Sequence, residues 1–131
     1  HVKILTKDAR EVLSDTVKLE KVIEQTGNLG GLIVGLYNSD FDLIQRSLHD
    51  SIIEEQRAQL IPHFYTVKRA ALDSGALGCS ISGAGPSIFA LSANSLTAQN
   101  VGASMKNIFD QAKIESQLYI CPVNQEGAIK L

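Results

Sequence analysis

The chain has 131 residues, 44% of them hydrophobic, which is the length of one domain with enough apolar side chains to bury a core. Its net charge is −2, and it carries four Phe, three Tyr and no Trp, with no basic stripe; this argues against a nucleic-acid partner. The longest apolar stretch, residues 32–37, is far too short to cross a bilayer, so no membrane association is expected.

Residues 2–5 alternate in a β-like pattern and read as an opening strand. Thr6 is placed to cap a short helix running to Leu13, with Asp8 in the first turn where the helix dipole favours an acid. A longer helix follows, with Leu19, Val22, Ile23, Leu29, Ile33 and Leu36 near one face. Gly27, Gly30 and Gly31 suggest either a break near residues 26–28 or close packing against a neighbour. Ser39 is placed to cap the next helix, which carries Phe41, Leu43, Ile44 and Leu48. Ser51-x-x-Glu54 is a capping-box spacing, and Asp50 is placed to hold the helix junction. Pro62 suits the first turn of a further helix, lined by Phe64, Val67 and Ala71 and ended by Gly75.

Residues 77–81 and 88–91 then read as two apolar strands around Ser82-Gly83-Ala84-Gly85-Pro86-Ser87. Asn94 or Ser95 opens a last long helix with Val101, Met105, Ile108, Phe109 and Ala112 on one face. Residues 118–123 read as a strand, and residues 128–131 as a short final one. The two strands around the glycine loop must be antiparallel, because a short turn cannot make a parallel crossover. The order predicts an α+β domain over residues 1–131: a ferredoxin-like plait, with a four-stranded antiparallel sheet and additional helices.

The glycine loop is the richest feature. Its N–H groups could form an anion-binding nest, though a glycine-rich turn between two strands is more often a plain hairpin. It is neither a dinucleotide fingerprint, since Ile88 stands where the third glycine belongs, nor a Walker loop, since no Lys-Ser/Thr pair follows. Thr6 and Arg10 are four apart, so a helix puts a hydroxyl and a guanidinium on one face. Arg57 reads either as an exposed charge paired with Glu54 or, with Arg10, as half of a bidentate carboxylate clamp. His49 and His63 have no visible orienting partner and read as ordinary histidines. Cys79 and Cys121, each in an apolar run, read as small buried hydrophobes in a reduced, cytoplasmic protein; no metal-ligand spacing is present. The start at His1, with Met105 as the only methionine, reads as a piece of a longer polypeptide with a partner domain.

Three segments carry a family resemblance. Thr6-Lys7-Asp8-Ala9-Arg10 is similar to a Thr-Lys-x-Ala-Arg segment, and Arg57-x-x-Leu60-Ile61-Pro62 to an Arg-x-x-Leu-Ile-Pro segment. Gly75-Ala76-Leu77-Gly78 followed by Ser82-Gly83-Ala84-Gly85-Pro86-Ser87 resembles the third motif of the GHMP kinase superfamily. Together they resemble the C-terminal domain of the homoserine kinase family, essentially end to end. That resemblance implies a two-domain enzyme that transfers the γ-phosphoryl group of ATP to the hydroxyl of L-homoserine, with Mg²⁺, in threonine biosynthesis. It implies that the absent N-terminal domain holds most of the nucleotide and metal contacts, so that no catalytic residue lies in this chain and the isolated piece is inactive.

By position, Arg10 and Arg57 match the arginines that take the substrate carboxylate, and Thr6 matches a threonine near the substrate. Ser82, Gly83, Ala84, Gly85 and Ser87 match the loop that meets the phosphate-binding loop at the cleft. Two departures stand out: Glu54-Glu55-Gln56 replaces Glu-Pro-aromatic, and Ser14 replaces a proline. Glu55 puts a negative charge near an anion site unless it faces outward. Another GHMP small-molecule kinase and a ferredoxin-like ligand-sensing domain are the competing readings, and the resemblance leaves open whether the protein is a homodimer.

Overall fold

The computed structural model describes residues 4–127. In chain order it has α1 (Asp8–Glu11), α2 (Leu19–Asn38), α3 (Phe41–Ser47), α4 (Glu54–Arg57), a 3₁₀ turn (Ala58–Leu60), α5 (Phe64–Asp73), β1 (Gly78–Ile81), β2 (Ile88–Leu91) and α6 (Ser95–Gln111). The α+β class holds. β1 and β2 form an antiparallel hairpin with Ile81 opposite Ile88 and Gly78 opposite Leu91. Helices α5 and α6 pack together, α5 against β1 and α6 against β2.

The sheet among the described residues has two strands, not the four expected. Residues 118–123 do not join it. They run beside α6 instead, where Gly102 lets Leu118 and Ile120 come so close that a Cβ there would sit 3.0 Å from Leu118 Cδ1. Two clefts, of about 410 and 690 Å³, lie between β2 and this segment. An extended segment without a neighbouring strand has nothing to receive its N–H and C=O groups, so it cannot become a strand alone. The expected first strand falls partly outside the described residues, and Ile4 and Leu5 are not in a strand. The expected strand at residues 128–131 lies wholly outside them.

Several helix boundaries move for identifiable reasons. Asp40, not Ser39, caps α3: its Oδ1 accepts from Leu43 N at 3.0 Å, while Ser39 closes α2 in the left-handed region at φ 55°. The capping box at Ser51 does not form. Asp50 Oδ1 takes the N–H groups of Ile52 and Ile53 at 2.9 and 2.7 Å, and Ser51 N donates to Gln25 Oε1. Helix α1 is one turn, with Lys7 at the N-cap position and no side-chain cap, so Thr6 does not cap it. Asn94 does cap α6, accepting from Thr97 N at 2.9 Å, and α5 buries Phe64, Val67 and Ala71 as its pattern requires.

The glycines of α2 do not break it. Gly31 and Gly35 face α3, and a Cβ at Gly35 would lie 2.9 Å from Ile44 Cγ1. Because these small positions seat the helix, its apolar face turns outward: Leu19, Ile23, Leu29, Ile33 and Leu36 are all exposed.

Two apolar clusters flank the hairpin. Ala71, Ala76, Cys79 and Val101 form one. Ala58, Ile61 and Phe64 form the other, with Ile4, Ile81 and Ile88 packed against it. This second cluster is the floor beneath the glycine loop. Cys79 is buried in the first cluster as expected, but Cys121 is exposed, and both thiols are free.

Candidate functional site

Arg57 is the hinge point of the site. It ends α4, and its guanidinium reaches two separate parts of the chain. Nε donates to Ala9 O at 3.0 Å, and Nη1 donates to Gly83 O at 2.9 Å. One side chain thereby ties the Thr6–Arg10 segment to the glycine loop, across 48 and 26 residues of sequence. A guanidinium carries five N–H donors in a planar fork; these two bonds fix its plane and leave Nη2 free of protein acceptors among the described residues.

No carboxylate cancels the charge of Arg57 among the described residues. The expected pairing with Glu54 does not occur. Glu54 is only 4% exposed and turns inward, where Oε1 meets Lys68 Nζ at 2.5 Å and Oε2 accepts from Ser80 Oγ at 2.7 Å. A buried carboxylate needs such partners, because an unpaired one would be too costly to bury. The trio joins α4, α5 and β1 and so fixes the turn that ends in Arg57 against the strand that leads into the loop. Glu55 faces outward to Lys21 of α2 at 3.5 Å, which keeps its charge off the site.

The loop closes on itself with two bonds: Ser82 N to Ser87 O at 2.8 Å and Gly85 N to Ser82 O at 3.0 Å. Gly83 and Gly85 have φ of +57° and +81°, and the Gly85–Pro86 peptide is cis. Gly85 needs to be glycine twice over, since a Cβ there would also press on Ile61 Cδ1 at 3.2 Å. The N–H groups of Gly83, Ala84 and Ser87 take no protein acceptor among the described residues. So both sequence readings of the loop apply: it is a hairpin turn, and it keeps three amide donors uncommitted.

Thr6 and Arg10 are exposed beside this junction, and Arg10 makes no ion pair among the described residues. Ala9 between them is fully buried and supplies the carbonyl that holds Arg57. Ser87 and Pro86 also line the 410 Å³ cleft, together with Lys106 and Phe109; Arg10 and Arg57 lie outside that lining. His49 sits 3.9 Å from Glu24 on the surface, and nothing orients it toward the loop. No cluster of three His, Cys, Asp or Glu side chains suited to a metal occurs among the described residues. Sequence reasoning missed the Glu54–Lys68–Ser80 trio, because three residues on three elements leave no spacing signature. The one available hint was an acidic residue directly after Ile52-Ile53.

A guanidinium held between two segments, beside a glycine loop with three open amides, gathers anion-suited donors on one face of this α+β domain. The chain belongs to the GHMP kinase C-terminal family: the family model described as "GHMP kinases C terminal" matches residues 32–111. It is similar to homoserine kinase from Chlorobium phaeobacteroides strain BS1, 50% identical over 98% of this chain and 41% of that protein. Homoserine kinase from Chlorobaculum tepidum is 46% identical over 98% of this chain and 40% of its own length. The crystal structure of homoserine kinase from Cytophaga hutchinsonii superposes with a TM-score of 0.93 at 53% identity, covering 95% of this chain and 40% of that one. The chain thus spans about 40% of the length of the relatives it matches.

Proposed function

We propose that this chain is the C-terminal, substrate-side domain of a homoserine kinase, which moves the γ-phosphoryl group of ATP to the hydroxyl of L-homoserine in the cytoplasm, for threonine biosynthesis. The observation that carries the reading is Arg57, pinned by Ala9 O and Gly83 O yet unpaired with any carboxylate among the described residues. Such an arginine is pre-oriented for an external carboxylate, and fork-to-carboxylate recognition fixes direction as well as position.

In this reading Arg57 and Arg10 take the homoserine carboxylate and Thr6 lies near the substrate. Ser82, Gly83, Ala84, Gly85 and Ser87 form the wall that meets the phosphate-binding loop of the N-terminal domain. The homoserine hydroxyl oxygen forms a bond to the γ-phosphorus, the bond to the β-bridging oxygen breaks, ADP leaves, and the hydroxyl proton is released. Positioning and charge stabilisation dominate such a transfer. Mg²⁺, when bound, would offset the phosphate charge; the amides and guanidiniums here suit anions rather than a cation, and ATP and Mg²⁺ are assigned mainly to the N-terminal domain because the family resemblance implies it. The four-stranded plait belongs to the same proposal, with a further strand seated between β2 and residues 118–123.

The test is acceptor discrimination by the intact two-domain enzyme. ADP release is measured with homoserine, with mevalonate and with 3-aminopropan-1-ol, which is homoserine without its carboxylate. Homoserine should be strongly preferred, and Arg57→Ala should erase most of the preference over 3-aminopropan-1-ol. Equal use of mevalonate, or an undiminished preference in the variant, overturns the reading. The 131-residue chain alone should release no ADP.

A further inference from the structure

Helix α4 is a single turn, and its N-cap residue Ile53 makes no side-chain cap bond. So short a helix does not hold its own direction, because nucleation costs more than one turn returns. The direction of Arg57, its last residue, is therefore set by what α4 is tied to. Glu54 and Arg57 stand three apart, on neighbouring positions of one helix face. Both reach the same stretch of chain. Ser80 Oγ donates to Glu54 Oε2 at 2.7 Å, and Arg57 Nη1 donates to Gly83 O at 2.9 Å. Each bond spans 26 residues, so the two are rungs of one ladder, 54 to 80 and 57 to 83.

The rungs differ in kind. Glu54 is 4% exposed and Ser80 9%, so the first is closed to solvent. At the second, Arg57 is half-buried and Gly83 exposed. Three residues advance a helix by about 4.5 Å and an extended strand by about 10 Å. The rungs still match, because the chain turns at Gly83, at φ +57°, and because the arginine side chain is long. The buried rung is the sole hydrogen bond between α4 and β1 among the described residues. Lys68 Nζ holds the other oxygen of Glu54 at 2.5 Å, which keeps the carboxylate from rotating away from Ser80.

We infer that Glu54 and Ser80 are positioning residues for substrate recognition: the buried rung sets α4 against the strand entering the glycine loop, and with it the direction of the open Nη2 edge of Arg57. The inference rests on the reading of Arg57 as the carboxylate anchor and extends it to two residues that touch no substrate. Arg57 does not fix itself, because both its carbonyl partners lie on segments outside regular structure. A carboxylate is gripped by two parallel N–H···O bonds, so tilting the fork weakens both. A displacement of about 1 Å at such a site costs on the order of a hundredfold.

The test uses the intact two-domain enzyme. Ser80→Ala cuts the buried rung and leaves the Glu54–Lys68 pair in place. Glu54→Leu with Lys68→Met cuts it and removes both buried charges together. In each, the preference for homoserine over 3-aminopropan-1-ol, as a ratio of kcat/KM, should fall about ten- to a hundredfold. The fall should come through KM for homoserine rather than kcat. A lowered melting temperature with this ratio intact overturns the inference, because the buried rung then serves stability alone. A second readout needs no substrate. The Arg57 Nε–H resonance, assigned by its loss in Arg57→Lys, should exchange with water faster in both variants than in the parent. Unchanged exchange in the folded variants overturns the inference whatever the acceptor is. If the variants keep the ratio while Arg57→Ala loses it, the positioning role alone falls; if Arg57→Ala keeps it too, the carboxylate reading falls with it.

Discussion

The backbone N–H of Ser14 donates to Gln56 Oε1 at 2.6 Å, which ties the segment after α1 to α4. Unlike a proline, Ser14 has an N–H to satisfy, and Gln56 supplies the acceptor. Gln56 Nε2 in turn donates to Ile52 O at 2.7 Å, which holds the side chain in place. Together the two residues keep the α1 segment docked on α4, next to Arg57. Gln56→Ala should therefore cost about 0.5–1.5 kcal/mol. Ser14→Pro combined with Gln56→Ala should cost less than the sum of the single changes, as interacting neighbours do. Urea unfolding of the four proteins in the cycle measures the coupling.

Arg57 does two jobs that a lysine cannot share. Its Nε and Nη1 hold two carbonyls at 3.0 and 2.9 Å while the rest of the fork stays open. A lysine ammonium is a point charge and cannot span both carbonyls with a fixed plane. Arg57→Lys in the intact enzyme should accordingly fall close to Arg57→Ala. Loss of one side of a buried charged contact costs about 2–5 kcal/mol, which corresponds to a drop of roughly 30- to 5,000-fold in kcat/KM. The loss should appear mainly as a raised KM for homoserine. A lysine variant with near-normal kinetics would remove the geometric part of this account.

The sequence displayed the parts of this domain whose causes are local. The hairpin around residues 82–87, α6 with its Asn94 cap, and the buried face of α5 all follow from turn residues, capping and helical periodicity. The Arg57 anchor was half legible: a guanidinium near a proposed anion site was visible, but its two carbonyl partners were not, because Ala9 and Gly83 act through backbone atoms that any residue type provides. The apolar stripe of α2 was visible and its direction was not. Hydrophobic periodicity finds a face, but Gly31 and Gly35 decided which face met α3, through close approach rather than apolar burial. Only two strands of the expected sheet pair among the described residues, for a related reason: a strand pattern at residues 118–123 says nothing of whether a neighbour is present to pair with.

The Glu54–Lys68 pair gives a stability prediction that is independent of activity. Glu54 is buried, and Lys68 and Ser80 are its partners. Removing one member leaves an uncompensated charge inside, at about 3–5 kcal/mol. Lys68→Met alone should be strongly destabilising, while Glu54→Leu with Lys68→Met should recover much of the loss, since the pair's desolvation cost disappears with both charges. Thermal unfolding of the singles and the double separates these outcomes. A double variant as unstable as the sum would mean that the pair is not the unit.

Cys79 makes the fold less stable at alkaline pH. Burial pushes its thiol from an ordinary 9.0 up to about 11, with the nearby Lys68 charge partly offsetting the rise and Glu54 adding to it. A raised pKa on an acid means that the folded state holds its proton longer than the unfolded state does. Between about pH 9 and 11 the unfolded chain therefore binds fewer protons, and unfolding becomes easier as pH rises. Below pH 9 the thiol is protonated in both states and contributes no slope. A rise of this size corresponds to about 2–3 kcal/mol, lost across that window and constant above it. Cys79→Ala should be less stable than the parent at about pH 7, because it leaves a gap beside Ala71, Ala76 and Val101. The difference between the two should shrink by that amount on going to about pH 11, which chemical unfolding at stepped pH reads directly. A difference that stays constant from about pH 7 to 11 would show that the thiol ionises as easily folded as unfolded. Thiol labelling supplies the companion reading: exposed Cys121 should react at about pH 8 while Cys79 stays protected until the chain unfolds.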